Sequence, residues 1–106
     1  MSKEIFQLHA EVCKTLSHAK RLEILSILRN DELSVGDIVD TMEIPKANVS
    51  QHLAVMRKAG ILNSRRDGLN IYYSISSPKV IKACDLMREV LVDYQTKKSK
   101  IMKNIA

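Results

Sequence analysis

The chain has 106 residues, of which 45% are hydrophobic and 27% are charged, and its formal net charge is +5. These values are typical of one folded domain, residues 1–106, and they exclude a disordered chain. No apolar run is long enough to span a membrane and the amino terminus lacks the features of a signal peptide, so a cytoplasmic protein without a membrane partner is expected. A domain this small gains stability by pairing with a second copy, so a homodimer is expected.

Residues 3–15 are predicted to form a helix with an unusually wide apolar surface. A single neighbouring helix cannot cover so wide a surface, so this helix is expected to pack on more than one partner. Its apolar side chains are those of Ile5, Phe6, Leu8, Ala10, Val12 and Cys13.

The second predicted helix, residues 18–29, is the most apolar of the chain and is expected at the centre of the core. Ser17 is placed to cap it with its hydroxyl. Lys20 and Arg21 lie in its first turn, where positive charge opposes the helix dipole. A nearby anion, such as a DNA phosphate, is therefore expected to compensate them.

Residues 34–60 have the pattern of a helix-turn-helix. Ser34 and Asp37 are three residues apart and predict a capping box at the start of the first helix. Pro45 has a fixed φ and no N–H, which suits the first position of the second helix. Gly60 follows where a helix commonly ends in a left-handed conformation.

The second of these helices has one apolar face and one polar, basic face. Val49, Leu53 and Met56 recur at helical spacing and are predicted to be buried. The side chains turned outward are then those of Lys46, Ala47, Ser50, Gln51 and Arg57.

The distribution of charge supports an anionic partner for this second helix. Residues 44–66 contain five basic residues and no acidic one. Before Pro45 the chain has five basic and eight acidic residues, whereas from Pro45 onward it has twelve and four. Such asymmetry around an exposed helix favours a phosphate-backbone footprint over an ordinary solvated face.

Residues 61–76 are predicted to form a β-hairpin. Asp67-Gly68 is a strong hairpin-turn signal, and the run after it alternates apolar and polar residues. A hairpin directly behind a helix-turn-helix is a wing. Arg65 and Arg66, near its tip, are placed to enter the minor groove or to hold phosphates.

Ser77-Pro78 ends the hairpin and opens a last helix of about 20 residues. The fold class predicted is thus a mainly helical winged helix-turn-helix with about five helices and two strands. The last helix carries more apolar surface than such a core can use, so residues 1–16 and 78–100 are predicted to form the dimer interface. The basic segment after Tyr94 is expected to fray.

Three segments, LSHAKRLEILSIL, ELSVGDIVDTMEIPKANVSQHLAVMRKAGIL and SRRDGLNIYYSI, resemble the ArsR/SmtB family of bacterial and archaeal repressors. The resemblance implies a homodimeric winged helix that binds an inverted-repeat operator and releases it when an inducer binds or a cysteine is modified. Pro45 departs from the family, whose members often have a capping serine there. By position, the resemblance implies DNA contacts at Lys46, Ala47, Asn48, Ser50 and Gln51.

The sensing sites of this family are not matched by the sequence. Ser34 and Gly36 stand where metal sensors have a C-x-C pair, and the last helix has no histidine for a zinc site. Ser26 and Val92 stand about where sulfide- and oxidant-sensing members have cysteines.

Cys13 and Cys84 lie on the two helices that the family joins at its dimer interface, and His9 precedes Cys13 by about one turn. Three interpretations stay open. The thiols only pack, they undergo redox or persulfide chemistry, or they bind a metal ion together with His9. Packing is favoured because both cysteines lie on apolar stripes. His18 and His52 are interpreted as isolated, and no cofactor is otherwise expected.

The leading hypothesis is a sequence-specific DNA-binding transcription regulator, with Ser50 and Gln51 bonding to base edges. The alternative is a winged helix that binds proteins without specific DNA binding, and the acid-free stretch argues against it. No enzyme is expected, because the chain lacks a phosphate loop, a nucleophile motif and a carboxylate-histidine cluster. Neutralisation of phosphate is assigned to Lys46, Arg57, Arg65 and Arg66.

Overall fold

The computed structural model describes the backbone of residues 1–105 and the side chains of residues 1–100. The mainly helical winged helix-turn-helix is confirmed, and the wing has one strand more than the two predicted. In this part of the chain, five helices and three strands follow in the order α1 (Lys3–Thr15), α2 (Ala19–Leu28), β1 (Leu33–Ser34), α3 (Val35–Met42), α4 (Lys46–Lys58), β2 (Leu62–Asp67), β3 (Asn70–Ile75) and α5 (Pro78–Ile105).

The core lies where α2, α3 and α4 meet the sheet. Val49, Leu53 and Met56 of α4 are each 0% exposed, as their helical spacing predicts. Burial of one such side chain contributes about 1.5–3 kcal/mol, so this face fixes how α4 sits on the domain. The buried cluster consists of Ile24, Leu25, Leu28, Ile38, Val49, Leu53, Met56, Ile61, Leu62 and Tyr73.

The turn chemistry around α3 and α4 follows the sequence. The Ser34 hydroxyl accepts the N–H of Asp37 at 3.2 Å, and the Asp37 carboxylate accepts the N–H of Ser34 at 3.3 Å. This is the predicted capping box. Glu43, with a left-handed φ of 56°, ends α3, and Gly60, with φ 82°, follows α4.

Pro45 lies just before α4 and does not open it. Its φ is −55° but its ψ is 140°, an extended value, so the helix begins one residue later than predicted. The Pro45 carbonyl accepts the N–H groups of Asn48 at 3.0 Å and Val49 at 3.2 Å. It therefore starts the helical bonding without being a helical residue.

The predicted cap of α2 is wrong. The Ser17 hydroxyl donates to the carbonyl of Lys14 at 2.6 Å and thus closes the end of α1. His18 precedes α2, with no side-chain capping bond. Since a serine hydroxyl bonds as readily to a carbonyl behind it as to an N–H ahead of it, the sequence does not distinguish the two roles.

The sheet is antiparallel with the strand order β1-β3-β2. The Asp67-Gly68 turn joins β2 to β3, and Gly68 has a φ of 63°. On the other edge, Leu33 pairs with Tyr73. Because β1 runs directly into α3, the third strand joins the helix-turn-helix to the wing.

The last helix has 28 residues, more than the predicted length. It continues through the basic segment after Tyr94 that was expected to fray, although the side chains of residues 101–106 lie outside the described part. Near its start, Asp85 accepts two hydrogen bonds from Arg29 at 2.8 and 3.1 Å, and this hydrogen bonding lowers the pKa of Asp85. The pair connects α5 to the end of α2.

Candidate nucleic-acid interface

The outward face of α4 is polar and accessible. Burial of Val49, Leu53 and Met56 turns the opposite side of the helix to solvent. Ser50 is half-buried at the margin of this face. The fully exposed residues that were predicted to contact DNA are Lys46, Ala47, Asn48, Gln51 and Arg57.

The positive charges of α4 have no anionic partner within the described side chains. Lys46, Arg57 and Lys58 are exposed, and none of them forms an ion pair among residues 1–100. Unpaired cations beside short polar side chains suit an anionic polymer, because phosphates attract the cations while hydrogen-bonding groups contact the bases.

The two wing arginines lie on opposite faces of the sheet. Cross-strand partners share a face, and Arg66 is opposite Ile71, which packs against the core. Arg66 therefore points to the side of the sheet that carries the helices. Arg65 is opposite Tyr72 and points to the outer side.

Arg65 is already bound to a carboxylate from elsewhere in the chain. One guanidinium nitrogen is 2.6 Å from Glu32, its Nε donates to the same oxygen at 2.7 Å, and the guanidinium lies 4.7 Å from the centroid of the Tyr72 ring. The hydrogen bond to Glu32 raises the pKa of Arg65. Arg66, in contrast, forms no ion pair among the described side chains.

Substitution of Arg66 is expected to affect salt-dependent DNA binding more than substitution of Arg65. Arg66→Ala should reduce the slope of log affinity against log salt by about 0.9, the value of one lost phosphate contact. Arg65→Ala removes the same formal charge from the next residue, but that charge is compensated by Glu32. Fluorescence anisotropy with a mixed-sequence duplex at several salt concentrations measures both slopes. Equal reductions would show that a phosphate displaces Glu32 from Arg65.

Two histidines that the sequence left isolated meet at the base of α4. The ring centroids of His18 and His52 are 6.2 Å apart, and Arg21 donates to Nδ1 of His52 at 3.1 Å. Arg21 also donates to the carbonyl of Thr15 at 2.9 Å. The anion expected near Lys20 and Arg21 is therefore not required, since Arg21 has these partners and Lys20 pairs with Glu23 at 3.2 Å.

A sequence signal for this cluster exists. Arg21 lies one turn before the buried Leu25, and His52 lies one turn before the buried Met56. Each polar residue is thus at the edge of a face that must pack, and the two faces belong to helices in one core. Periodicity could have placed Arg21 beside His52.

The structure places the thiols in different surroundings. Cys13 is exposed on α1, whereas Cys84 is half-buried against the core, and burial raises the pKa of its thiol. His9 is exposed. Within the described residues of a single chain, no three His, Cys, Asp or Glu side chains form a group that could hold a metal ion.

Both terminal helices present apolar surface to solvent in the single chain. Helix α1 has no buried residue, and no helix among the described residues is long and apolar enough to cross a membrane. Large apolar side chains from 37% to 63% exposed on these helices are those of Ile5, Phe6 and Leu8 in α1 and of Leu86, Met87, Val90, Leu91, Val92 and Tyr94 in α5.

A helix-turn-helix with an exposed cationic helix, followed by an antiparallel wing, defines a winged helix-turn-helix DNA-binding protein. Residues 18–64 match the model of the family described as "Bacterial regulatory protein, arsR family". The chain is 32% identical over 105 residues to the uncharacterized HTH-type transcriptional regulator Rv0081 of Mycobacterium tuberculosis, covering 98% of this chain and 92% of the relative. The chain belongs to the arsR family, whose members are transcription regulators.

Other relatives extend this similarity. The transcriptional repressor PagR of Bacillus anthracis is 44% identical over 72 residues, covering 67% of this chain and 72% of PagR. The crystal structure of Rv0081 has a TM-score of 0.81 at 35% identity and covers 92% of this chain and 98% of that one. The homodimeric winged helix-turn-helix domain of Mb0332 from Mycobacterium bovis has a TM-score of 0.78 at 26% identity, with 88% and 89% covered.

Proposed function

We propose that this protein acts in the cytoplasm as a homodimeric repressor that binds an inverted-repeat operator in double-stranded DNA and has no catalytic activity. The observation that carries the proposal is the exposed face of α4, where Lys46, Arg57 and Lys58 have no carboxylate partner among the described side chains. PagR, named a transcriptional repressor, supports the direction of regulation.

The roles of the α4 residues follow from their positions. The amino-terminal part of a recognition helix enters the major groove, which places Ser50 and Gln51 at base edges with Lys46 and Asn48 beside them. Ala47 is small and exposed, so it admits close approach of the helix to the groove. Arg57 and Arg66 are assigned to phosphates, and Arg65 is assigned there only if DNA displaces Glu32.

The homodimer follows from the apolar faces of α1 and α5. A contiguous apolar surface of this kind marks a protein interface, and a two-fold axis through it sets two copies of α4 side by side. A symmetric pair of recognition helices requires a symmetric pair of DNA half-sites, hence an inverted repeat. The homodimeric domain from Mycobacterium bovis supports this assembly.

Substitution of Gln51 is expected to weaken binding to the preferred duplex specifically. A duplex is first selected from a random-sequence pool by repeated binding to the wild type. Gln51→Ala should weaken binding to this selected duplex by about 1–3 kcal/mol, because a base-edge hydrogen bond is lost, and should leave binding to the unselected pool nearly unchanged. Gln95→Ala, the same change at an exposed position of α5, is the control.

The alternative function makes the opposite prediction for the same experiment. A winged helix that only binds proteins selects no duplex from the pool, and its partner binding is insensitive to Gln51→Ala. Equal loss on both kinds of DNA would assign Gln51 to backbone contact instead of base recognition.

For release from the operator, we propose modification of a thiol. Cys13 is the better candidate, since it is exposed while burial of Cys84 raises its pKa and so reduces the reactive thiolate. A metal ion held by His9, Cys13 and Cys84 would require donors from the partner subunit, because the described residues of one chain form no such group.

A further inference from the structure

Arg21 connects three helices at the base of the recognition helix α4. Its Nε donates to Nδ1 of His52 in α4 at 3.1 Å, and a terminal nitrogen donates to the carbonyl of Thr15, the last residue of α1, at 2.9 Å. Both bonds are partly buried, so water competes with them less than at the surface. Arg21 itself belongs to α2.

The bond between Arg21 and His52 exists for only one charge state of the imidazole. Arginine is always protonated and can only donate, so Nδ1 of His52 must be without a proton. The proton of the neutral ring is then on Nε2. Protonation of Nδ1 replaces an acceptor with a donor facing a guanidinium, which breaks the bond and places two positive charges together.

We propose that Arg21 and His52 are positioning residues that hold α4 in its DNA-reading orientation, and that protonation of His52 weakens recognition of the specific duplex. This inference rests on the proposed function. His52 follows Gln51 directly and precedes the buried Leu53, so it links the base-reading position to the core. Base hydrogen bonds require accurate placement of the helix, whereas phosphate attraction does not.

The surroundings of His52 favour its neutral form. Partial burial, Arg21 and His18 together lower its pKa, in that order of importance. The charged or titratable neighbours Arg21 and His18 both come from α2, and α1 contributes the uncharged Thr15 carbonyl to the cluster. None of the ion pairs among residues 1–100 brings a carboxylate to this ring.

The sign of the pH effect follows from this lowered pKa. The folded, bonded state binds the proton less readily than a free histidine, so the bonded arrangement is complete above about pH 6.5 and is lost as the pH falls through the lower folded value. Protonation also adds positive charge beside α4, which favours attraction to any phosphate backbone. Specific and non-specific binding should therefore change in opposite directions.

The test compares a duplex selected from a random-sequence pool at about pH 7.5 with the unselected pool, at constant salt. Between about pH 7.5 and 5.5, the affinity of the wild type for the selected duplex is expected to fall roughly tenfold, and its affinity for the unselected pool to stay equal or rise. Selection at pH 7.5 with a preference that does not change at the lower pH would overturn the inference while leaving the proposed function intact. Absence of any selection would overturn both.

His52→Asn separates the bond from the charge. The Asn Oδ1 occupies the position of Nδ1 and accepts from Arg21, but it does not titrate. We expect wild-type affinity for the selected duplex at the higher pH and no loss at the lower one. His18→Asn is the matched control and should keep the pH dependence. A wild-type pH dependence in His52→Asn would contradict the role of His52.

Arg21→Gln tests the other partner. It should weaken binding to the selected duplex at the higher pH without reducing the salt slope, because Arg21 is satisfied by His52 and Thr15. A slope reduced by about 0.9 would identify Arg21 as a phosphate contact and refute its positioning role. Nuclear magnetic resonance of the His52 ring without DNA gives an independent check, since Arg21→Gln should raise its pKa. An unchanged pKa would refute the coupling.

Discussion

Removal of residues 79–106 is expected to leave an aggregating or unfolded chain. Val80, Ile81 and Cys84 of α5 lie partly buried next to the core, and their loss exposes it. Each fully buried apolar side chain contributes about 1.5–3 kcal/mol, so losing even part of three is large against a typical total of about 5–15 kcal/mol. The apolar face of α1 also loses its dimer partner. Sedimentation velocity and far-ultraviolet circular dichroism measure the outcome.

A point substitution in α5 separates its two contributions. Leu91 is 57% exposed in the single chain, so Leu91→Glu should leave the core intact and break the proposed dimer interface. We expect a folded, soluble monomer with weakened binding to the selected duplex. A stably folded monomer from the truncation itself would show that α5 supports neither the core nor the dimer.

The recognition helix could be predicted because its signals are local. The buried spacing of Val49, Leu53 and Met56 depends only on helix geometry, and the capping box needs only three intervening bonds of chain between Ser34 and Asp37. Gly60 and Gly68 both adopt the positive φ values that their turns require. In each case one segment contains both the cause and the effect.

The features that sequence missed depend on residues far apart in the chain. Strand β1 has two residues, too few for an alternating pattern, and its partner Tyr73 lies on the far side of the helix-turn-helix. Arg65 looked like a free phosphate contact until the fold brought Glu32 against it. The same holds for Arg21 and His52, which are 31 positions apart. Composition predicts the charge of a residue but not which opposite charge the fold supplies.

The length of α5 was underestimated for a different reason. The segment after Tyr94 is basic and carries no apolar stripe that the core requires, so it was taken as a frayed end. Yet it contains neither glycine nor proline, and lysine is a good helix former. Intrinsic propensity, more than packing, therefore accounts for the continuation of α5 to Ile105.

The proposed thiol release depends on which cysteine reacts first. Reaction requires the thiolate, and desolvation of Cys84 raises its pKa, so at neutral pH it is mostly the unreactive thiol. Its reactivity should grow as the pH rises. Cys13 is exposed on α1, where an added polar group would enter the proposed dimer interface. Disturbing that interface would misalign the two recognition helices.

Cys13→Ser is therefore expected to abolish the release of selected DNA by polysulfide or peroxide near neutral pH, while Cys84→Ser keeps most of it. Neither substitution should alter affinity in the presence of reductant, because neither position lies on α4 or the wing. Anisotropy measures the release, and mass spectrometry of the same samples locates the modified sulfur. Loss of the response in both variants would indicate that the two thiols react together across the dimer. A full response in both would mean that the cysteines only pack and that another signal releases the operator.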